Sequence, residues 1–169
     1  LYDGIGSCNM AISLANKAPF KTEAERNVKV AEARFLRAIY YFNAVEQFGG
    51  VTMITEPASS MNFAPTRTEP LTIYKEIIIP DLEFAVEWLD KGNDATTTQP
   101  TKKAALGMLA KVCLQTKEYA TDEYIPEALD AAKKLITDCE SGGSTYGAYM
   151  YPTYEEVFAE KNNKENKEA

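Results

Sequence analysis

Residues 31–50, AEARFLRAIYYFNAVEQFGG, constrain the fold more than any other stretch of this chain. No proline or glycine interrupts them before Gly49-Gly50, so the stretch reads as a helix closed by a glycine pair. A solvated surface helix carries one apolar stripe. Here apolar and aromatic residues fall nearly all round, with Glu32, Arg34 and Arg37 lodged among them. Such a helix needs neighbours on several sides.

The helix is expected to begin near Thr22, because Glu25 follows three positions later in a capping-box pattern. Val28, Ala31, Phe35, Ala38, Phe42 and Val45 recur at steps of three and four and define one face. Ala33, Tyr40 and Ala44 define the opposite face, where small residues admit a neighbouring backbone. Glu32 and Glu46 project near the edge of the Phe35/Phe42 face. A carboxylate there needs a cation or backbone donors. Neither Arg34 nor Arg37 lies on the face of Glu32, so the expectation is a structural ion pair with an adjacent helix.

The rest of the chain adds further helices and no alternation long enough to require a sheet. A first helix is expected from Ile5, with Asp3 as its N-cap and Ile5, Cys8, Ile12 and Ala15 on one face. Residues 51–57, VTMITEP, read as a short extended piece, and 56–70 as a loop. Residues 71–92 read as a helix around Pro80, which should kink or restart it, with Ile73, Ile77, Leu82, Ala85 and Leu89 buried and Gly92 at its end. Residues 93–100 read as polar loop. Thr101 caps the next helix, with one stripe of Ala105, Leu109, Val112 and Thr116 and another of Gly107, Ala110 and Leu114. Gly107 in mid-helix costs roughly 1 kcal/mol against alanine, tolerable where another helix crosses closely. A last helix starts at Pro126, carries Ala128, Ala132, Leu135 and Cys139, and stops at Gly142-Gly143. These last two helices fit a tetratricopeptide-like unit of about 34–40 residues. The expected fold is all-α, an α-α superhelix of tetratricopeptide-like helix pairs. Residues 1–160 are expected to form a single helical domain and 161–169 a polar, mobile tail.

Composition narrows function. Net charge is −7, with 25 acidic against 18 basic residues, so a nucleic-acid partner is not expected. No run of about 18 apolar residues proposes a membrane span. Histidine is absent, which removes the commonest general base and imidazole metal ligation. Cys8, Cys113 and Cys139 lack any CxxC spacing and read as small core residues; a Cys113–Cys139 bridge is the alternative. No acidic pair sits in a motif and no EF-hand spacing appears, so no catalytic residue, metal site or cofactor is assigned. A glycosidase built on two carboxylates is the enzyme alternative.

Glu32-Ala33-Arg34-Phe35-Leu36-Arg37-Ala38, followed by Phe48-Gly49-Gly50-Val51, resembles the hallmark of the SusD/RagB family of outer-membrane nutrient-binding lipoproteins of Bacteroidota. Thr52 stands where that family usually has proline. Cys8-Asn9 matches its first helix. Arg67 precedes Tyr74, Ile77, Asp81 and Leu82 in the family's order, with Pro80 in place of a polar residue. Thr101 to Leu114, Ala128 to Ile136 and YEEVF at 154–158 resemble its later elements.

The resemblance implies a non-catalytic lid on a TonB-dependent, SusC-like transporter, held at the cell surface by a lipid anchor that this chain does not contain, capturing a glycan or oligosaccharide ligand. It implies a ligand site built mainly from loops and a structural role for Glu32, Arg34 and Arg37. Family members are usually much longer, so the chain is expected to be a fragment comprising the helical scaffold. No ligand-binding residue of the family carries over to a matching position. Trp88, Tyr146, Tyr149, Tyr151 and Tyr154 are the aromatics on which a sugar ring could stack. Each has a packing alternative: Trp88 within its helix, the tyrosines as a seal on the end of the stack. A tetratricopeptide-type adaptor that binds a peptide or protein is the rival reading.

Overall fold

The computed structural model describes residues 1–57, 65–91, 99–119 and 121–157. Among these every regular element is a helix: α1 (Tyr2–Lys17), α2 (Glu23–Phe48), α3 (Pro70–Ile73), a π turn (Tyr74–Ile78), α4 (Ile79–Trp88), α5 (Lys102–Gln115), a 3-10 turn (Thr116–Tyr119), α6 (Ile125–Glu140) and α7 (Tyr154–Val157). The packing is sequential: α1 lies on α2, α2 on α4, α4 on α5 and α5 on α6. An all-α stack of this kind buries its core between neighbours. That is why α2 is apolar on opposite sides: Ala31, Phe35, Ala38, Phe42 and Val45 are buried, and so are Ala33 and Ala44.

Thr22 caps α2 as its spacing predicts, its side chain accepting from the Glu25 N–H. The return arm of the box lands one residue early, the Lys21 N–H donating to the Glu25 carboxylate at 3.2 Å. Gly49 closes the helix at φ 70°, a left-handed conformation that favours glycine.

The first helix begins earlier than expected. Leu1 is its N-cap, and Asp3 lies inside the first turn, where a carboxylate complements the positive end of the helix. Gly4 belongs to the helix despite its poor propensity. A Cβ there would sit 2.5 Å from the Tyr40 ring, so the missing side chain admits α2.

Pro80 restarts the third segment through a π turn. Proline has no N–H, and its ring collides with the carbonyl four residues back in an α-helix. The chain widens just before it, and the Ile79 N–H donates to the Tyr74 carbonyl five residues back. All five expected core positions of this segment, Ile73, Ile77, Leu82, Ala85 and Leu89, are buried. The helix ends at Trp88, not Gly92, because Leu89 turns extended (ψ 148°). Gly92 and the polar loop through 98 lie outside the described residues, as do 58–64 and the expected tail, 161–169.

Two stripes differ from expectation. The Ala105/Leu109/Val112/Thr116 stripe of α5 is buried, but Gly107 and Leu114 are exposed. No backbone crosses closely at Gly107; the nearest atom to a Cβ would be Leu135 Cδ1 at 3.9 Å. On α6 the buried positions are Ala128, Ala131 and Asp138, while Ala132, Leu135 and Cys139 are half-buried. The stripe is turned because the loop after α6 binds the Asp138 carboxylate inward. All three cysteines carry free thiols, with Cys8 and Cys113 buried.

Candidate functional site

The polar centre of the stack is an ion pair between α2 and α4. Arg37 donates from Nε to Asp81 Oδ2 at 2.7 Å and from Nη2 to Oδ1 at 2.9 Å. Its Nη1 donates to Asn9 Oδ1 of α1 at 2.8 Å. Burial works against the Arg37 charge, but the Asp81 carboxylate outweighs it and raises its pKa further. Burial pushes the Asp81 carboxyl up, opposed by the Arg37 bonds and by the charges of Arg37 and Arg34. An arginine does not give up its proton, and both carboxylate oxygens accept from it, so the pair is ionised at neutral pH. The expected pair between packed helices therefore exists, but Glu32 is not in it. Glu32 bonds Lys29 one turn back in its own helix at 2.8 Å, because its side chain still reaches the helix surface. Arg34 lies 3.7 Å from Asp81, its guanidinium 4.4 Å above the Phe84 ring. A cation over an aromatic face is a favourable placement.

Around this centre, side chains hold an irregular segment where a sheet would otherwise supply hydrogen bonds. Tyr41 Oη both donates to the Ile54 carbonyl at 2.8 Å and accepts from the Ile54 N–H at 2.7 Å. Asn9 Nδ2 donates to the carbonyls of Ile54 and Glu56, and Tyr2 Oη to that of Thr52. Arg67 donates to the carbonyls of Phe48 and Gly50. An isolated antiparallel bridge pairs Val51 with Thr68, in line with the short extended piece expected at 51–57. Together these contacts fix both ends of the 57–65 connection on the scaffold.

The sequence aromatics separate. Trp88 is half-buried against the core, 6.2 Å between ring centroids from Phe84, which is helix packing. Tyr149 and Tyr151 meet edge to face at 5.1 Å. Tyr154 opens α7, and its side chain lies outside the described part of the structure. Tyr146 lines an open pocket of about 300 Å³. One wall comes from the last turns of α6 through Lys133, Lys134, Thr137 and Asp138. Ser141, Thr145 and Tyr146 supply the other.

Sequence reasoning found Tyr146 but missed what shapes this pocket. Asp138 Oδ1 accepts from the Thr145 N–H at 2.7 Å, and Oδ2 accepts from those of Tyr146 and Ala148 at 2.9 Å each. Desolvation acts to raise the Asp138 pKa, but these backbone donors, with Gly147, outweigh it and hold the carboxyl below its ordinary value. The signal was present: an acid on the inner side of α6, followed by a run with three glycines. Gly142, Gly143 and Gly147 all take positive φ there, at 75°, 74° and 76°. Gly147 rests against the Lys91 backbone, and Lys91 Nζ donates to the Ser144 carbonyl, which fastens the loop to the end of α4.

The described residues contain no group of three or more His, Cys, Asp or Glu able to hold a metal ion. Burial, followed by the nearby Glu127 carboxyl of α6, raises the Glu83 pKa. Burial pushes the neighbouring Cys113 thiol up to about 12, so it is no nucleophile. No helix among the described residues is long and apolar enough to cross a membrane.

The family model described as "Starch-binding associating with outer membrane", a SusD-like family, matches residues 1–114. A SusD-like protein of Bacteroides ovatus is 30% identical over 164 residues, which are 91% of this chain and 28% of that protein. SusD-like protein P2 of Formosa agariphila is 34% identical over 121 residues, covering 70% of this chain and 23% of that one. This chain thus spans about a quarter of the length of these relatives. Among solved structures, a SusD superfamily protein from Parabacteroides distasonis superposes with TM-score 0.74 at 30% identity, over 81% of this chain and 30% of that one. A laminarin-binding SusD-like protein gives TM-score 0.75 at 28% identity, over 95% and 33%. A structure with a xylogluco-oligosaccharide gives 0.73 at 27%, over 98% and 32%.

Proposed function

Since this chain belongs to the SusD-like family, described as starch-binding and associating with the outer membrane, we propose that it is the helical scaffold of a non-catalytic surface glycan-binding protein that works with a TonB-dependent, SusC-like transporter. The observation that carries this reading is the match of nearly the whole chain to two solved structures, one a laminarin-binding SusD-like protein and one with a xylogluco-oligosaccharide. The internal organisation supports it. The ion pair of Arg37 with Asp81 and the side-chain clamps on 51–56 make a stiff frame that presents loops, as a binding protein requires. Capture needs no reacting group, and the chain carries no histidine to serve as a general base. The protein reaches the outer membrane on a lipid anchor and hands oligosaccharide to its transporter.

The test is affinity electrophoresis of the product of the whole reading frame through gels containing laminarin, xyloglucan or starch. A co-purification from outer-membrane extract accompanies it. Retardation by at least one glycan, with a TonB-dependent transporter in the eluate, is expected. Unchanged mobility in every glycan together with a soluble protein partner would replace this reading with the tetratricopeptide-type adaptor.

A further inference from the structure

We propose that the outward face of α1 is covered by an apolar helix of the same polypeptide, from outside residues 1–169. The inference rests on the reading above of this chain as the scaffold of a longer protein, and it adds a docking surface to that scaffold.

The two ends of the helix stack are built differently. At one end α1 packs on α2. Its inner side gives Ile5, Cys8 and Asn9 to the core, and Tyr2 and Asn9 hold the 52–56 backbone along one flank. The side turned away carries Gly6, Ser7, Met10, Ala11 and Leu14, all exposed, with Met10 at 46% and Leu14 at 58%. No charge falls among them. The 16 residues of α1 hold two charged side chains, Asp3 in the first turn and Lys17 in the last, in a chain where 25% of residues are charged. Ser7, the polar side chain of this face, already donates its hydroxyl to the Asp3 carbonyl at 2.8 Å.

At the other end, α6 exposes Asp130, Lys133, Lys134 and Glu140 beside Leu129 and Ile136. A helical stack needs a polar outer face on its terminal unit to stay in solution. By that measure α6 is dressed for solvent and α1 is built as an interior helix. Its relief suits a helical neighbour. Gly6, Ser7 and Ala11 keep the face low while Met10 and Leu14 stand up from it, and no atom lies within 4 Å of where a Gly6 Cβ would be. Ridges and grooves of this kind take a second helix at an axis separation of about 8–10 Å.

Two features favour a covering helix from the same polypeptide. Partners that fold separately meet on surfaces about as polar as the rest of the protein, whereas this face has no charge between its first and last turns. The chain also spans about a quarter of the length of its matched relatives, so most of a protein of that length lies outside these residues.

Maleimide labelling of the product of the whole reading frame tests this. Ser7→Cys and Ala11→Cys, made one at a time, put a thiol on the face with little change in size. Tandem mass spectrometry reads the label at each position, and the same variants in urea give the unprotected rate. In a dilute sample that elutes as a monomer, both thiols are expected to react about a hundredfold slower than in urea, because a covered site reacts only when its cover opens. Labelling of either folded variant at close to the urea rate would overturn the inference. So would protection that appears only as concentration is raised, which gives the face to a second copy, or only when the transporter is added, which gives it to that partner. Glycan retardation in gels reads the general proposal separately. Fast labelling with retardation intact removes this inference alone; lost retardation with both thiols protected removes the glycan-binding reading alone.

Discussion

Arg37 and Asp81 meet at two points, Nε to Oδ2 at 2.7 Å and Nη2 to Oδ1 at 2.9 Å, and so lock α2 to α4 at the centre of the stack. Removing one partner of a buried pair leaves the other charge uncompensated. Asp81→Ala is therefore expected to destabilise the chain by about 3–5 kcal/mol. The double variant Arg37→Met/Asp81→Leu should recover part of that loss, because it leaves no buried charge. Urea denaturation of the three proteins measures both effects; equal losses in single and double variants would contradict the assignment.

Tyr41 holds the irregular segment by one hydroxyl that serves both backbone groups of Ile54. Tyr41→Phe keeps the ring and removes both bonds, for an expected loss of about 1–3 kcal/mol. Backbone amide exchange should quicken at Ile54 first and leave the middle of α2 protected.

Gly107 is a mid-helix glycine with room for a methyl group, since a new Cβ would make ordinary contact with Leu135 at 3.9 Å. Gly107→Ala should stabilise the chain by about 1 kcal/mol. For a chain of this size that raises Tm by about 2–4 °C, which differential scanning calorimetry resolves. A lowered Tm would mean that α5 and α6 pack more tightly here than their side chains indicate.

The anchoring of the 141–148 loop depends on pH in a defined sense. The Asp138 carboxyl titrates lower in the folded chain than in the unfolded one. Its contribution is fully present above the ordinary aspartate value of about 3.9 and lost as pH falls through the lower folded value. Amide resonances of Thr145, Tyr146 and Ala148 should hold steady from neutral pH down to about 4 and move together below it. Asp138→Ala should show the moved resonances already at neutral pH.

Much of the scaffold was legible because periodicity and capping are local. The Thr22 and Thr101 caps, the buried side of the 71–89 segment and the Ala105/Leu109/Val112/Thr116 stripe all follow from spacing alone. The misreadings came where tertiary contact overrides local preference. An Ile5 start for α1 comes too late, since the helix takes in Gly4, whose missing side chain makes room for the Tyr40 ring. Glu32 and Arg37 share a helix, and only the position of α4 decides which of them is buried with a partner. Asp81 could have been found as that partner, since it is an acid flanked by core positions between Ile77 and Ala85. The pocket was less visible. Tyr146 stood out as an aromatic, but the role of Asp138 depends on a loop that folds back to meet it.

The π turn at Tyr74–Ile78 has a consequence for how this segment can vary. It absorbs one residue more than an α-helical turn, and the core positions show it as a step of five from Ile77 to Leu82. Deleting a single residue there would restore an unbroken α-helix and turn that step of five into a step of four, the spacing of one α-helical face. Leu82, Ala85 and Leu89 would keep their phase with Ile77, and Asp81 would stay on the side that meets Arg37, whereas the same deletion in a regular α-helical stretch would rotate everything beyond it by about 100°. The π turn thus gives the segment one residue of slack: its length can change there without changing which side chains face the core.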